Sequence, residues 1–432
     1  MKRRTLLASL GGAGLAWTAL AAGIDSGPST LPRGALRVVV IGGGWAGLSA
    51  ARELRRSAPE LDVLVIDRTP MLRSLPLSNP WLVGRTQERM PRIDLAKLAH
   101  SLGYRFVPAE VLAIDRLQRQ VHTTEGRFAY DWLILAAGVD YDYAAWFGDD
   151  ARATNQAQEH FPAGFLSNEL DLLKRRLDGF RGGDLVMTIP PPPIRCPPAP
   201  YERALLIAWL LKTQRIPGKL TVIDAGGGIS RFTRLFADRY ADQIVYRPHT
   251  NLRSIDPFGR RLSTEDGEMH FDHAILLPPM RASTLVEQAG LLGLNTQGKP
   301  SRWAGVDPVH LRALADDRVY LAGDLLDAVS PLFGHYPKTA HIATRLGSAA
   351  ALQISALTRG NTPLQAALPH SICHVWLDAD PVEQMRMEAQ YRLRGDGLIV
   401  QSVRQHDNPQ PRDEDLQWGL GLYAESLGVS AQ

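Results

Sequence analysis

Cysteine is nearly absent from this chain. Cys196 and Cys373 are the only two in 432 residues. A metal centre of four thiolates is excluded, and covalent haem is excluded because no Cys-x-x-Cys-His occurs. Excess charge of one sign is also lacking. The formal charge is +3, and the first 21 residues carry Lys2, Arg3 and Arg4 with no acid, so the rest is formally neutral. A neutral chain offers no basic face for nucleic acid. Beyond residue 21 no apolar run reaches the roughly 18 residues that a stable membrane span needs. What remains is an ordinary globular composition, 45% hydrophobic and 22% charged, long enough for two or three domains around large cores.

The N-terminus reads as an address. Arg3-Arg4 precede a mild apolar stretch, Leu6 to Ala21, that ends in the small-x-small site Ala19-Leu20-Ala21. This predicts a twin-arginine export signal over 1–21 and a periplasmic mature chain, exported folded. Thiols tend to be oxidised in that compartment, and two cysteines there usually pair.

After a polar linker, Leu36 to Ile41 reads as a buried parallel strand. Gly42-Gly43-Gly44-Trp45-Ala46-Gly47 follows, then apolar residues at helical spacing, then a second strand from Leu61 ending in Asp67. That order is the context a dinucleotide-binding turn requires. Gly42 permits the turn, Gly44 admits a pyrophosphate to the helix N-terminus, and Gly47 lets helix and strand pack closely. Asp67 is placed to accept from a ribose. An internal repeat lies downstream. Ile114, Gly126, Asp131 and Ile134 recur as Ile255, Gly267, Asp272 and Ile275 at a constant offset of 141. Each copy reads as a hairpin turned by Asp/Glu-Gly and followed by an apolar strand. One nucleotide-binding architecture is used twice, as in two-domain flavoprotein reductases.

The copies differ at the phosphate turn. Behind the strand Asp184 to Ile189 stands a loop, Pro190 to Pro200, in which seven of eleven residues are proline. Proline has no N–H, so this loop cannot cradle a pyrophosphate. The second domain reads as a nicotinamide domain that has lost its cofactor. Ala225-Gly226-Gly227-Gly228 follows the second strand of that copy, so Asp224 corresponds to Asp67 and the glycines form an ordinary loop. Val319 to Asp324 is a strand ending in Gly323-Asp324, where such an aspartate reaches the ribityl chain of FAD. Pro337 is expected to start a helix running to Leu357. The fold class is therefore α/β: two Rossmann-like domains, the FAD domain discontinuous (35–149 and 291–362) around a second domain (150–290), plus a C-terminal α+β domain (363–432) ending in a polar tail from Asp407.

Cys196 sits on the proline loop, where a nicotinamide would lie, and Cys373 belongs to the C-terminal domain. Two readings stand: a structural disulfide, or a disulfide held in fixed geometry against a flavin and opened by a thiolate nucleophile. Glu202, near the start of an apolar helix over Ala204 to Leu211, is either a proton acceptor or a first-turn acid favoured by the helix dipole. His374 is a proton carrier or a structural histidine.

The phrases VVVIGGGWAG, PLSNP at 76–80, RCPPAPYERA at 195–204, ILLPPMRA at 275–282, YLAGD at 320–324 and PKTA at 337–340 resemble the flavoprotein subunit of flavocytochrome c sulfide dehydrogenase, over about residues 36–395. The resemblance implies a reactive Cys196–Cys373 disulfide, an active-site Glu202, and FAD contacts that include Ser78, Asn79, Gly138, Gly323, Asp324 and Lys338. It implies oxidation of sulfide, with electrons passing to a c-type cytochrome on a separate chain. At the position where family members attach flavin covalently through cysteine stands Leu75, so FAD is expected to be non-covalent. Two alternatives remain: a sulfide:quinone oxidoreductase, against which the acidic tail argues, and a flavin-stabilised binding or assembly subunit with a structural disulfide.

Overall fold

The computed structural model describes residues 34–86, 91–362 and 368–428. The expected export signal lies outside them.

Two parallel sheets carry the core: one continuous apolar cluster takes in residues of both, and a smaller one lies against the second. In the first, strands Asp316–Leu321, Trp132–Leu135, Arg37–Ile41, Asp62–Asp67 and Arg105–Pro108 run side by side and parallel. The short strand Arg312–Ala313 adds an antiparallel edge. Val38, Val39, Val40 and Ile41 are all buried, which accounts for their unbroken apolar run. Asp316–Leu321 joins from far along the chain, so the first domain is discontinuous, as expected. The second sheet orders Ile244–Arg247, Gly218–Asp224, Gly183–Ile189 and His273–Ile275, again all parallel.

The repeat is visible strand by strand. Val111–Asp115, Gln120–Thr123 and Gly126–Ala129 form one antiparallel meander. Leu252–Asp256, Arg261–Thr264 and Gly267–His270 form the other, with every boundary displaced by the same 141 residues.

Helix Trp45–Ser57 leaves the glycine turn and packs on helix Ala340–Thr358. A Cβ on Gly347 would lie 2.0 Å from the Ala46 carbonyl oxygen, so this contact needs glycine. The second helix begins later than the Pro337 start expected from sequence. Thr339 is its N-cap and accepts the Ile342 N–H at 3.3 Å. Helix Ala199–Thr213 likewise extends beyond 204–211 at both ends, with proline in its first turn, where no intrahelical N–H is lost.

The C-terminal segment corrects a second expectation. Strands His370–Ala379, Val382–Leu393 and Ile399–Asn408 form an antiparallel sheet. The supposed polar tail then folds into helix Glu414–Leu427. Its buried residues, Asp415, Gly419, Leu422, Tyr423, Ser426 and Leu427, trace one helical stripe. Tyr423 packs on Trp45 with ring centroids 5.0 Å apart, and Arg52 donates to the Glu425 carbonyl at 2.6 Å. Glycines and acids dilute the stripe in the sequence, which is why the segment reads as polar.

Candidate active site

The glycine turn is built for an anion. Gly42 has φ +112°, and a Cβ there would meet the Ala136 carbonyl oxygen at 2.4 Å. A Cβ on Gly47 would lie 1.9 Å from the Gly42 oxygen. Gly44 is different, since nothing lies within 4 Å of its would-be Cβ. Helix Trp45–Ser57 has no side-chain cap and no acid in its first turn, so no side chain of the helix start competes with an anion for its first N–H groups. Asp67 accepts from the Gly43 N–H at 2.6 Å and from the Thr69 hydroxyl at 2.7 Å, and so stiffens the turn.

From this turn a cleft runs toward the cysteines. Gly44, Ala136, Gly138, Gly323, Asp324 and Lys338 line it, as do Leu75, Ser78, Cys196, Glu202, Cys373 and Trp376. A cleft that begins at the uncapped N-terminus of helix Trp45–Ser57, with Gly44 leaving room for a phosphate, fits FAD. Leu75 presents only hydrocarbon at the position where a covalent bond to flavin would need a nucleophile.

Cys196 stands at φ +44°, a left-handed conformation rare for a residue with a Cβ. Hydrogen bonds hold it there: its N–H donates to the Lys338 carbonyl at 2.9 Å, and its carbonyl accepts the Ala199 N–H at 2.8 Å. Cys373, from strand His370–Ala379, reaches it. The two are thiols in hydrogen-bond contact. That contact first, and burial second, push the Cys196 thiol well above its usual range. The cysteines lie 177 residues apart in sequence, and the fold brings them onto one wall of the cleft.

Glu202 is in the first turn of helix Ala199–Thr213, but it is no surface acid. It is buried, and burial raises its pKa to about 7. Hydrogen bonds oppose the rise: Trp376 N–H donates to Oε1 at 2.7 Å and Asn79 Nδ2 to Oε2 at 2.5 Å. Asn79 is fixed in turn by the buried Arg203, whose Nε donates to Asn79 Oδ1 at 2.9 Å. Arg203 spends its other nitrogens on the carbonyls of Ala163 and Gly164 and lies 4.0 Å from the Phe165 ring centroid.

Most expected site residues meet at this cleft, with changed duties for some. Asn79, expected to contact the cofactor, instead engages its amide with Glu202, Arg203 and the Ala199 carbonyl. Lys338 lines the cleft but gives its ammonium hydrogens to the carbonyls of Asp324 and Leu326, 3.7 Å from the Trp303 ring centroid. Burial lowers its pKa to about 7. Asp324 is paired with Arg195 at 2.7 Å. His374 also lines the cleft, its ring 6.0 Å from that of Trp418, and burial lowers its pKa. Sequence reasoning missed Arg195, Arg203, Trp376 and Asp415. Arg195 and Arg203 stand inside RCPPAPYERA and were within reach of that motif, whereas nothing local marks Trp376 or Asp415.

The second domain carries a closed counterpart of the Asp67 site. Asp224 is buried and accepts from the hydroxyls of Tyr201 and Tyr246, each at 2.7 Å, and from the Gly226 N–H at 2.7 Å. Its carboxylate is filled by protein.

Comparison with known proteins follows the same division. Residues 36–157 match the pyridine nucleotide-disulphide oxidoreductase family, and residues 170–278 match the family described as sulfide dehydrogenase (flavocytochrome c) flavoprotein chain, central. Sulfide-quinone reductase of Aquifex aeolicus is 24% identical over 271 residues, 59% of this chain and 61% of that protein. The alignment thus spans about three fifths of that relative. The mitochondrial sulfide:quinone oxidoreductase of Mus musculus is 23% identical, over 69% of each chain. The solved Aquifex aeolicus sulfide:quinone oxidoreductase shares the fold, with TM-score 0.66 and 20% identity over 86% of this chain and 87% of that one. An NAD-dependent persulfide reductase from A. fulgidus gives TM-score 0.60 at 15% identity, over 90% and 77%. By these matches, residues 36–157 are similar to the pyridine nucleotide-disulphide oxidoreductases and residues 170–278 to the sulfide dehydrogenase flavoprotein chain.

Proposed function

We propose that this protein is an exported, FAD-dependent sulfide oxidoreductase that works through Cys196 and Cys373 and gives its electrons to a c-type cytochrome. The observation that carries the reading is the meeting of both cysteines with buried Glu202 in one cleft whose far end is the glycine turn. Gly44 and the N-terminus of helix Trp45–Ser57 would hold the pyrophosphate. Asp324 would hold the ribityl region, and helix Ala340–Thr358 would face the ring. When bound, FAD supplies an acceptor for an electron pair that can release electrons singly.

The chain's own residues prepare that pair. Hydrogen sulfide gives a proton to Glu202, whose pKa near 7 suits it to accept and release protons at neutral pH. The resulting hydrosulfide anion would attack one sulfur of a Cys196–Cys373 disulfide, the oxidised form of the two thiols that the structure places in contact. The S–S bond breaks; one cysteine keeps the incoming sulfur as a persulfide, and the other leaves as a thiolate bearing the electron pair. Each sulfide oxidised to the level of sulfur loses two electrons and two protons.

A second reading, in which quinone is the acceptor, draws support from the names of the Aquifex aeolicus and Mus musculus relatives. Among the described residues no helix is long and apolar enough to cross a membrane. Anaerobic sulfide titration decides the reaction, and adding cytochrome c or a soluble quinone decides the acceptor. We expect sulfide to bleach the flavin and cytochrome c to restore it. Restoration by quinone alone establishes the second reading. No bleaching refutes both and leaves a binding or assembly role.

A further inference from the structure

We propose that Asn79 and Asp415 are positioning residues acting on Glu202 in opposite senses. Asn79 stabilises the carboxylate by a direct hydrogen bond, and Asp415, presented by the C-terminal helix through Trp376, favours the protonated form.

The hydrogen bonds allow one orientation of Asn79. A guanidinium only donates, so the Asn79 atom facing Arg203 Nε must be oxygen. The two amide hydrogens then go to the Ala199 carbonyl at 3.0 Å and to Glu202 Oε2 at 2.5 Å. Asn79 is thereby a donor to Glu202 whether or not Glu202 is protonated, and a donor binds the charged form more strongly. Asn79 itself is almost fully buried, so water does not replace this bond.

Trp376 faces both acids. Its backbone N–H donates to Glu202 Oε1 at 2.7 Å and its indole Nε1–H to Asp415 Oδ2 at 2.8 Å. One residue therefore holds two carboxylates on the same cleft, Glu202 from helix Ala199–Thr213 and Asp415 from helix Glu414–Leu427. A second negative charge across a buried wall disfavours ionisation of the first. Other charged or titratable groups near this wall include Arg203, which favours the carboxylate, Cys196 and Cys373, Arg85 against the Trp376 ring, and His374, Arg386 and Glu414 on the Asp415 side. The C-terminal helix is thus an electrostatic part of the site as well as a cover over it.

The inference rests on the sulfide reading for what the proton is used for, and on the hydrogen bonds alone for how it is held. The test is pH-difference infrared spectroscopy of the holoprotein, with the Glu202 carboxyl band assigned by its loss in Glu202→Gln. Asp415→Asn keeps an acceptor for the indole N–H and removes the charge; it should lower the Glu202 midpoint by about one pH unit. Asn79→Ala should raise it by about as much. Asn79→Asp, which keeps the side chain's size and its bond to Arg203, should raise it as well. Midpoints that stay in place, or that move in one direction for both positions, overturn the proposal. Opposite shifts support it. Opposite shifts in a protein that sulfide does not bleach support the proposal and refute the substrate reading.

Discussion

At the residue scale the two cysteines and Glu202 do separable work. Cys196 and Cys373 lie beyond the glycine turn, so Cys196→Ser and Cys373→Ser should each retain FAD and lose sulfide-driven bleaching. Stopped-flow absorbance measures this, and wild-type bleaching in either variant excludes a catalytic pair. Glu202 also leaves a mark on stability. Its pKa is about 7 in the folded chain against a usual value of 4.5, so between these values the folded state binds the extra proton. Stability contributed by protonated Glu202 is present below the unfolded value and lost as pH rises toward 7, amounting to about 3 kcal/mol. Glu202→Gln has no such proton to lose. Relative to wild type it should therefore gain roughly that amount between pH 4.5 and about pH 8, read from urea melts at each pH. An unchanged difference between the two proteins across that range contradicts a buried, titrating Glu202. Burial and two donors, one from Asn79 and one from the backbone of Trp376, set this behaviour, and neither is a property of the glutamate's sequence neighbours.

At the scale of elements, three glycines around helix Trp45–Ser57 behave differently for geometric reasons. Gly47→Ala and Gly347→Ala would push a Cβ to 1.9 and 2.0 Å from backbone oxygens, which side-chain motion cannot relieve. Each should destabilise the fold by about 1–3 kcal/mol. Gly44→Ala meets no protein atom and Gly44 has φ −85°, so the apoprotein should keep its stability. The new methyl stands instead where a pyrophosphate would approach, and FAD retention should fall. Thermal melts of apoprotein and flavin content after gel filtration separate the two effects. Equal destabilisation by all three substitutions excludes a phosphate role for Gly44. The glycine turn, the repeated meanders and the second-copy strands were legible because their signals are local: period, turn residues and a fixed offset. The boundaries of helix Ala340–Thr358 and the C-terminal helix were not, since a Thr cap and docking on Trp45 decide them.

At the scale of the whole molecule, the second Rossmann-like domain serves as a scaffold for the proline loop that carries Cys196. With that loop short of N–H donors and Asp224 closed by two tyrosines, NADH and NADPH should neither bleach the flavin nor raise the melting temperature. Rapid stoichiometric bleaching by NADH overturns this. FAD should be held by the fold alone. Added FAD should then raise the apparent stability. Guanidinium should release all yellow colour into the filtrate, and colour left on the denatured chain would reveal a covalent bond made by a residue other than Leu75. The sequence by itself determined the fold class, the dinucleotide turn, the loss of the second fingerprint, and the two cysteines and the glutamate as candidates, because residue type and spacing along one strand–turn–helix carry that information. Only the tertiary structure decided that Cys373 reaches Cys196, that Asn79 serves Glu202, and that Asp415 closes the wall from the C-terminal helix. Those contacts join separate elements: Asn79 and Glu202 stand 123 positions apart, and Glu202 and Trp376 stand 174 apart. Their energies depend on a burial that exists only once both parallel sheets and the C-terminal sheet have packed together.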